Sequence, residues 1–278
     1  MDLLSPSTIK KLLARHNTRP SKGLGQNFLI DKKTLGKIME AANLSKNDTV
    51  LEIGPGVGTL TQELAHKAGN VMAIEKDAMM VEILKETLGA YKNVEVINKD
   101  ILKISNLKFK ISNSDYKVVC NIPYYLTSPL IRKLLESKNQ PAEIILMVQK
   151  EVAQRICAKP PEMSLLAVSV QFYAKPEIIS YVSKNCFWPA PKVDSAIIKI
   201  TPREARGGRT PASFFKTVKA GFSQPRKQLL NNLSHGLKKD KKEISAWLAK
   251  NGIKPQQRAE TLTIQNWLNL VKELDKLP

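Results

Sequence analysis

Cysteine, histidine and aromatic residues are scarce in this 278-residue chain, with three cysteines, three histidines and 6% aromatics. Cys120, Cys157 and Cys186 are far apart and odd in number, which argues against a disulfide framework and a cysteine zinc site. His16, His66 and His235 are scattered, so no metal is expected. No apolar run is long enough to span a bilayer, and no membrane partner is expected. The opening Met1–Pro6 lacks the basic flank and apolar core of a secretion signal. Unpaired thiols suit a reducing compartment, so a cytoplasmic protein is expected. No apolar seam argues for a dimer, so a monomer is expected.

Acidic residues are the other shortage. Asp and Glu number 25 against 44 Lys and Arg, for a formal charge of +19. The excess is segregated. Residues 1–37 carry +6, residues 38–200 only +3, residues 201–258 carry +11, and the last twenty carry −1. A nearly neutral body with basic flanks fits a polyanionic partner, nucleic acid before all.

What is there reads as alternating strands and helices. A short amphipathic helix is expected over 7–16, then a Gly- and Pro-containing loop from Arg19 to Leu29 whose Arg19 and Lys22 can touch phosphate. Asp31 caps a helix over about 32–43. Strands are expected at Thr49–Ile53, Val71–Ile74, Val94–Ile97, Val118–Cys120 and Glu143–Val148, with helices over 59–67, 78–88 and 128–137 between them. This order predicts an α/β fold with a mostly parallel sheet. Residues 149–157 read as helical, 164–174 fit either period, and 178–182 and 195–200 read as strands. A linker is expected over 202–211, and helices over 212–222, 226–236, 241–250 and 263–275. The division expected is residues 1–202 as a catalytic domain with a basic N-terminal arm and 203–278 as a small all-α domain. The second is too short to bury much surface alone.

Three stretches carry chemistry. Gly54-x-Gly56-x-Gly58, after a strand and before a helix, suits close backbone approach to a ligand. Its spacing is one residue shorter than the dinucleotide fingerprint, which weakens the case for a pyrophosphate. Glu75 ends the second strand and can accept from two ribose hydroxyls; Asp100, after the third, can accept from an adenine amino group. Both also fit ordinary acids at loop starts. A ribose reader and a purine reader without a phosphate cradle suit a nucleoside-like cofactor, and S-adenosyl-L-methionine fits.

Asn121-Ile122-Pro123-Tyr124 follows the fourth strand, where open α/β sheets hold ligands. The Asn121 side-chain oxygen and the Ile122 carbonyl can accept the two hydrogens of an exocyclic amine. Pro123 fixes φ, and Tyr124 offers a ring face. Phe187, on the proline-rich stretch 187–195, is the candidate for a second jaw around an extruded base. The plainer alternatives are a Pro-containing turn and a buried loop aromatic.

Gln26-Asn27-Phe28-Leu29, Glu52-Ile53-Gly54-Pro55-Gly56-Val57-Gly58, Asn121-Ile122-Pro123-Tyr124 and Phe187-x-Pro189-x-Pro191-Lys192-Val193-Asp194-Ser195 occur in that order. Together they resemble the rRNA adenine N6,N6-dimethyltransferases, specifically the branch acting on small-subunit rRNA (KsgA/RsmA), over essentially the whole chain. The resemblance implies a Rossmann-like S-adenosyl-L-methionine-dependent methyltransferase fold with a small C-terminal all-α domain. It implies dimethylation of two adjacent adenosines in the 3′-terminal hairpin loop of 16S rRNA, in the small (30S) subunit, late in ribosome biogenesis. By position, Asn27, Leu29, Gly54, Glu75, Asp100 and Asn121 would contact the cofactor, with Gly56 in the same loop. Asn121, Ile122, Pro123, Tyr124 and Phe187 would hold the adenine, and Arg226 and Lys227 would grip rRNA. One departure stands out: the family usually has arginine where this chain has Pro225, which can open the following helix.

Three other readings compete. One is the sister family that methylates 23S rRNA and confers macrolide resistance. Another is a non-catalytic RNA-binding assembly factor, against which the intact Gly loop, Glu75, Asp100 and Asn121 argue. A nicotinamide dehydrogenase is disfavoured by the glycine spacing.

The charge segregation generates a prediction. Binding to small ribosomal subunits should fall steeply with salt, because neutralised phosphates release counterions. A filter-binding series over salt concentration checks this, and a flat response would contradict the basic footprint.

Overall fold

The computed structural model describes residues 1–104, 116–203 and 211–274, with backbone alone at 211, 273 and 274. Residues 204–210 of the expected linker lie outside the described residues. In chain order the elements are α1 (Pro6–Arg15), β1 (Phe28–Leu29), α2 (Lys32–Ala42), β2 (Thr49–Ile53), α3 (Thr59–Lys67), β3 (Asn70–Glu75), α4 (Ala78–Leu88), β4 (Val94–Asn98), β5 (Tyr116–Asn121) and α5 (Thr127–Leu135). They continue with β6 (Glu143–Gln149), α6 (Lys150–Ile156), α7 (Leu165–Tyr173), β7 (Ala174–Val182), β8 (Phe187–Trp188) and β9 (Ser195–Pro202), then α8 (Pro211–Gly221), α9 (Leu229–Leu237), α10 (Lys241–Lys250) and α11 (Ile264–Leu274). No described helix is long and apolar enough to cross a membrane.

Seven strands form one sheet in the order β4-β3-β2-β5-β6-β9-β7. The pairs β2–β3, β3–β4, β2–β5 and β5–β6 are parallel, and β9 pairs antiparallel with β6. The central strands are apolar without alternation because both faces are covered. Val50, Val71, Val119, Ile145 and Ile197 pack with Leu35 and Ile38 of α2 and Leu60 and Leu64 of α3. Strand order reverses between β2 and β5, so the chain leaving these two strands opens a crevice at the sheet's carboxyl edge, the place where such sheets bind ligands.

Three readings are corrected. The loop expected up to Leu29 ends in the two-residue β1, which pairs antiparallel with β8. Residues 164–174, ambiguous in period, resolve into the Ser164 cap, which accepts from the Ala167 N–H, α7 over Leu165–Tyr173, and Ala174 as the first residue of β7. Pro225 does not open a helix: it lies in a turn, and α9 begins at Leu229 rather than 226.

The chain divides into two compact units, Met1–Ala153 with Pro176–Pro202, and Gln154–Lys175 with Arg203–Pro278. The first differs from the expected 1–202 domain because residues 154–175 belong with the helices. The reason is the core. Met163, Ala167 and Val168 are buried among Phe214, Val218, Leu233, Trp247 and Trp267, and Phe172 stacks on Phe214 at 4.1 Å. A tail too short to fill its own interior is completed by an earlier helix.

Phe214 is fully buried at the centre of that helical core. Phe214→Ala should therefore destabilise the helical unit by about 3–5 kcal/mol, read as a lower urea midpoint for the loss of helical signal.

Candidate functional site

The crevice is walled by three segments: Leu24–Leu29, Glu52–Gly56 and Asn121–Leu126. Glu75, Lys76 and Lys99–Leu102 close one end, and Phe187 contributes from β8. Of the residues singled out in the sequence, Asn27, Leu29, Gly54, Gly56, Glu75, Asp100, Asn121, Ile122, Pro123, Tyr124 and Phe187 come together here. Arg19 and Lys22 are exposed and do not line it, and Arg226 and Lys227 are exposed on the helical unit.

The Gly loop is shaped by what lies against it. Gly56 has φ +60°, and a Cβ there would stand 3.1 Å from the Phe28 ring, so any other residue would be strained and crowded against that ring. Its N–H donates to Glu75 Oε2 at 3.3 Å, and the Asp77 N–H donates to Oε1 at 2.8 Å. Glu75 thus joins the end of β3 to the Gly loop and to the start of α4. Burial raises its pKa, while these backbone donors favour the charged form.

Asp100 works differently. Lys76 Nζ sits 3.0 Å from its Oδ2, and the Leu102 N–H donates to Oδ1 at 3.0 Å. The Lys76 hydrogen bond holds its pKa below the usual value. Asp100 is therefore a carboxylate, with lone pairs left over for a further donor.

Asn121 is oriented from the N-terminal segment. Its Nδ2 donates to the Asn27 carbonyl at 3.4 Å, and Asn27 Nδ2 donates to the Gly25 carbonyl at 3.0 Å. With the NH₂ so engaged, Oδ1 is the end of the amide left to accept. Tyr124 shares a 2.8 Å hydrogen bond with the Ser195 hydroxyl, which fixes its ring. Phe187 is paired with Leu29 across the β1–β8 ladder and is only 3% exposed. Little of its surface is therefore open to the crevice it lines. Both aromatics hang from the two ends of the same proline-rich loop.

Some residues here carried no assigned role in the sequence reading. Gln26 accepts from the Ser21 N–H and donates to Asp77 Oδ2, each at 2.8 Å, tying the N-terminal loop to α4. Lys76 steers Asp100. Glu52 is the third. It lines the crevice at 1% exposure, its Oε2 has no hydrogen-bond partner, and burial raises its pKa to about 8. A lone acid inside an apolar central strand was the available signal. No group of three or more His, Cys, Asp or Glu that could hold a metal occurs among the described residues.

A carboxyl whose pKa is raised on folding binds its proton more tightly in the folded state. The contribution of Glu52 to stability is then fully present below the ordinary value near 4.5 and is lost as pH rises toward about 8. Glu52→Gln should flatten that decline and raise the urea midpoint at pH 8 in the ligand-free protein. Midpoints measured from pH 5 to 9 test it; an unchanged slope would place the titration elsewhere.

The profile of the family described as "Ribosomal RNA adenine dimethylase" matches residues 15–276. A ribosomal RNA small subunit methyltransferase A from Dehalococcoides mccartyi is 45% identical over 260 residues, covering 93% of this chain and 89% of the relative. A protein of the same name from Alkaliphilus oremlandii is 42% identical over 282 residues, with 98% of each chain covered. Among solved structures, a dimethyladenosine transferase from Plasmodium falciparum superposes with TM-score 0.76 at 30% identity, covering 89% of this chain and 97% of the other. The 23S rRNA methyltransferase ErmE superposes with TM-score 0.73 at 29% identity, covering 90% and 100%. The crevice with its Gly loop, paired acids and oriented Asn121 is thus set in a chain that belongs to the ribosomal RNA adenine dimethylase family.

Proposed function

We propose that this enzyme dimethylates the N6 amino groups of two adjacent adenosines in the 3′-terminal hairpin loop of 16S rRNA. Its substrate is the small (30S) subunit late in assembly, and it works in the cytoplasm as a monomer with S-adenosyl-L-methionine as methyl donor. The observation that carries this reading is the Asn121 amide, whose nitrogen is engaged by Asn27 and whose oxygen is left to accept beside Tyr124.

The residues present fit the donor. Glu75 offers acceptors for a ribose diol, Asp100 an acceptor for an adenine amino group, and Gly54 and Gly56 a surface without side chains. The unpartnered Oε2 of Glu52 answers a positive charge, which this donor carries on its ammonium and sulfonium groups. Bound there, it supplies a methyl group activated for displacement by an amine.

The chain's own residues prepare that amine. An adenine N6 lone pair is delocalised into the ring and attacks poorly. Asn121 Oδ1 and the Ile122 carbonyl accept its two hydrogens, which draws the nitrogen toward tetrahedral geometry and frees the lone pair. The Tyr124 ring, held by Ser195, sets the plane of the base. Phe187, which lines the same crevice, bounds the space left for the base. The gain comes from positioning and electrostatics, with no strong base required.

The small subunit is favoured over the large by sequence. The relatives named for the small subunit are 40–45% identical over 93–98% of this chain, against 29% for ErmE. Retention of every acceptor in the crevice argues against a non-catalytic assembly factor.

Methyl transfer from labelled S-adenosyl-L-methionine to unmethylated small subunits, with large subunits beside them, tests the assignment. Label should enter two adjacent adenosines of the small subunit alone. Asn121→Ala should lower turnover about 10²–10³-fold, as loss of one preorganised polar contact does, and leave subunit binding intact. Retained turnover would refute the role of the amide.

A further inference from the structure

Beyond the crevice, the described residues hold a second aromatic surface. β7 is the edge strand of the sheet, and alternate residues of it turn outward. Ile179 and Tyr181, two apart and so on one face, are 41% and 52% exposed. Lys150 Nζ lies 5.3 Å from the centre of the Tyr181 ring, a cation–π contact. Lys150 and Lys184 are both pinned to Asp194: the Lys150 N–H donates to its carbonyl and the Lys184 N–H to its Oδ1, each at 3.0 Å. Lys192 is exposed two residues earlier, and Val193 is 44% exposed. The Lys150–Tyr181 pair thus sits at the end of β7, with the backbone of Lys184 and of the Lys192–Asp194 stretch beside it and with Glu177 further along the same exposed face.

The patch is continuous with the site. Asp194 is followed by Ser195, the residue whose hydroxyl holds Tyr124, and Ser195 is in register with Gln149, the residue before Lys150. Phe187 begins the same loop. An RNA strand placing a base between Tyr124 and Phe187 has its neighbouring nucleotides unstacked and in need of support. Unpaired bases stack on aromatic side chains while lysines neutralise their phosphates. Apolar side chains interleaved with lysines on an exposed sheet edge suit that chemistry better than they suit a protein partner, whose contact centre would be depleted in lysine.

We propose that Tyr181, with Lys150, receives an unpaired nucleotide flanking the target adenosine. Lys150 covers one face of the ring, and the base stacks on the other. The phosphate lies toward Lys150 and Lys192. This rests on the rRNA adenine reading above and adds a specificity contact outside the crevice.

The test uses the full-length protein and unmethylated small subunits. Tyr181→Ala should raise KM for the subunit about tenfold, the scale of one lost base stack, with kcat within about twofold and S-adenosyl-L-methionine affinity unchanged. Tyr181→Phe should behave as the parent, because stacking needs only the ring. Lys150→Gln should lower the salt slope of binding by about one phosphate contact. Unchanged KM in Tyr181→Ala, beside an active parent, overturns the patch and spares the activity. Self-association of the parent that Tyr181→Ala abolishes, with KM unmoved, would make this edge a protein surface and also overturns it. A parent that labels no rRNA overturns both readings.

Discussion

Two carboxyl groups are buried at the carboxyl edge of neighbouring central strands, and much of the site's construction answers that burial. Desolvation penalises a charge unless hydrogen bonds or an opposite charge return what water supplied. Glu75 has two backbone donors, and to supply them the Gly loop must turn toward β3 and α4 must start where Asp77 can reach back. Glu52 has no such compensation on Oε2 and is held with its pKa raised to about 8. The fold therefore carries a site whose electrostatics are balanced on one strand and left open on the next. A cationic ligand beside Glu52 would restore its charge, which couples ligand binding to proton release.

The second determinant is a small one. Two residues of β1 pair with two of β8, and that short ladder brings the end of the N-terminal loop and the start of the proline-rich loop side by side at one crevice. Asn27 can then orient Asn121, Phe28 can lie against Gly56, and Phe187 can line the crevice that Tyr124 also lines. Gln26 secures the same loop to α4. Local rigidity here comes from cross-links among three distant stretches of sequence rather than from one motif.

What was legible in the sequence was what the chain encodes locally. Apolar runs ending at Ile53, Glu75 and Asn121 marked the strands, because a strand buried on both faces is apolar throughout. The Gly loop and the acids after successive strands marked one edge of the sheet by topology alone. What was hidden depends on contacts between distant residues. A two-residue ladder has no periodicity to detect. Leu165–Tyr173 blurred because apolar residues occupy its exposed and half-buried positions, Leu165 among them, as well as the buried Ala167, Val168 and Val170. The Lys76–Asp100 pair and the Tyr124–Ser195 bond exist only once β3, β4, β5 and β9 are assembled. Glu52 was in plain view; an acid inside an apolar strand is a signal that the pattern of the run obscured.

The helical unit is built from two pieces separated in the sequence by Pro176–Pro202 of the other unit, the stretch that carries most of β7 and all of β9. As the polypeptide leaves the ribosome, α7 emerges long before α8 to α11, and it must wait with its apolar surface uncovered. The sheet, in turn, gains its last two strands only after α7 has passed. The first unit has all its residues by Pro202, whereas the second begins at Gln154 and waits for everything from Arg203 onward. Any exchange of this tail between relatives must carry Gln154–Lys175 along with it, or leave a core without its first helix.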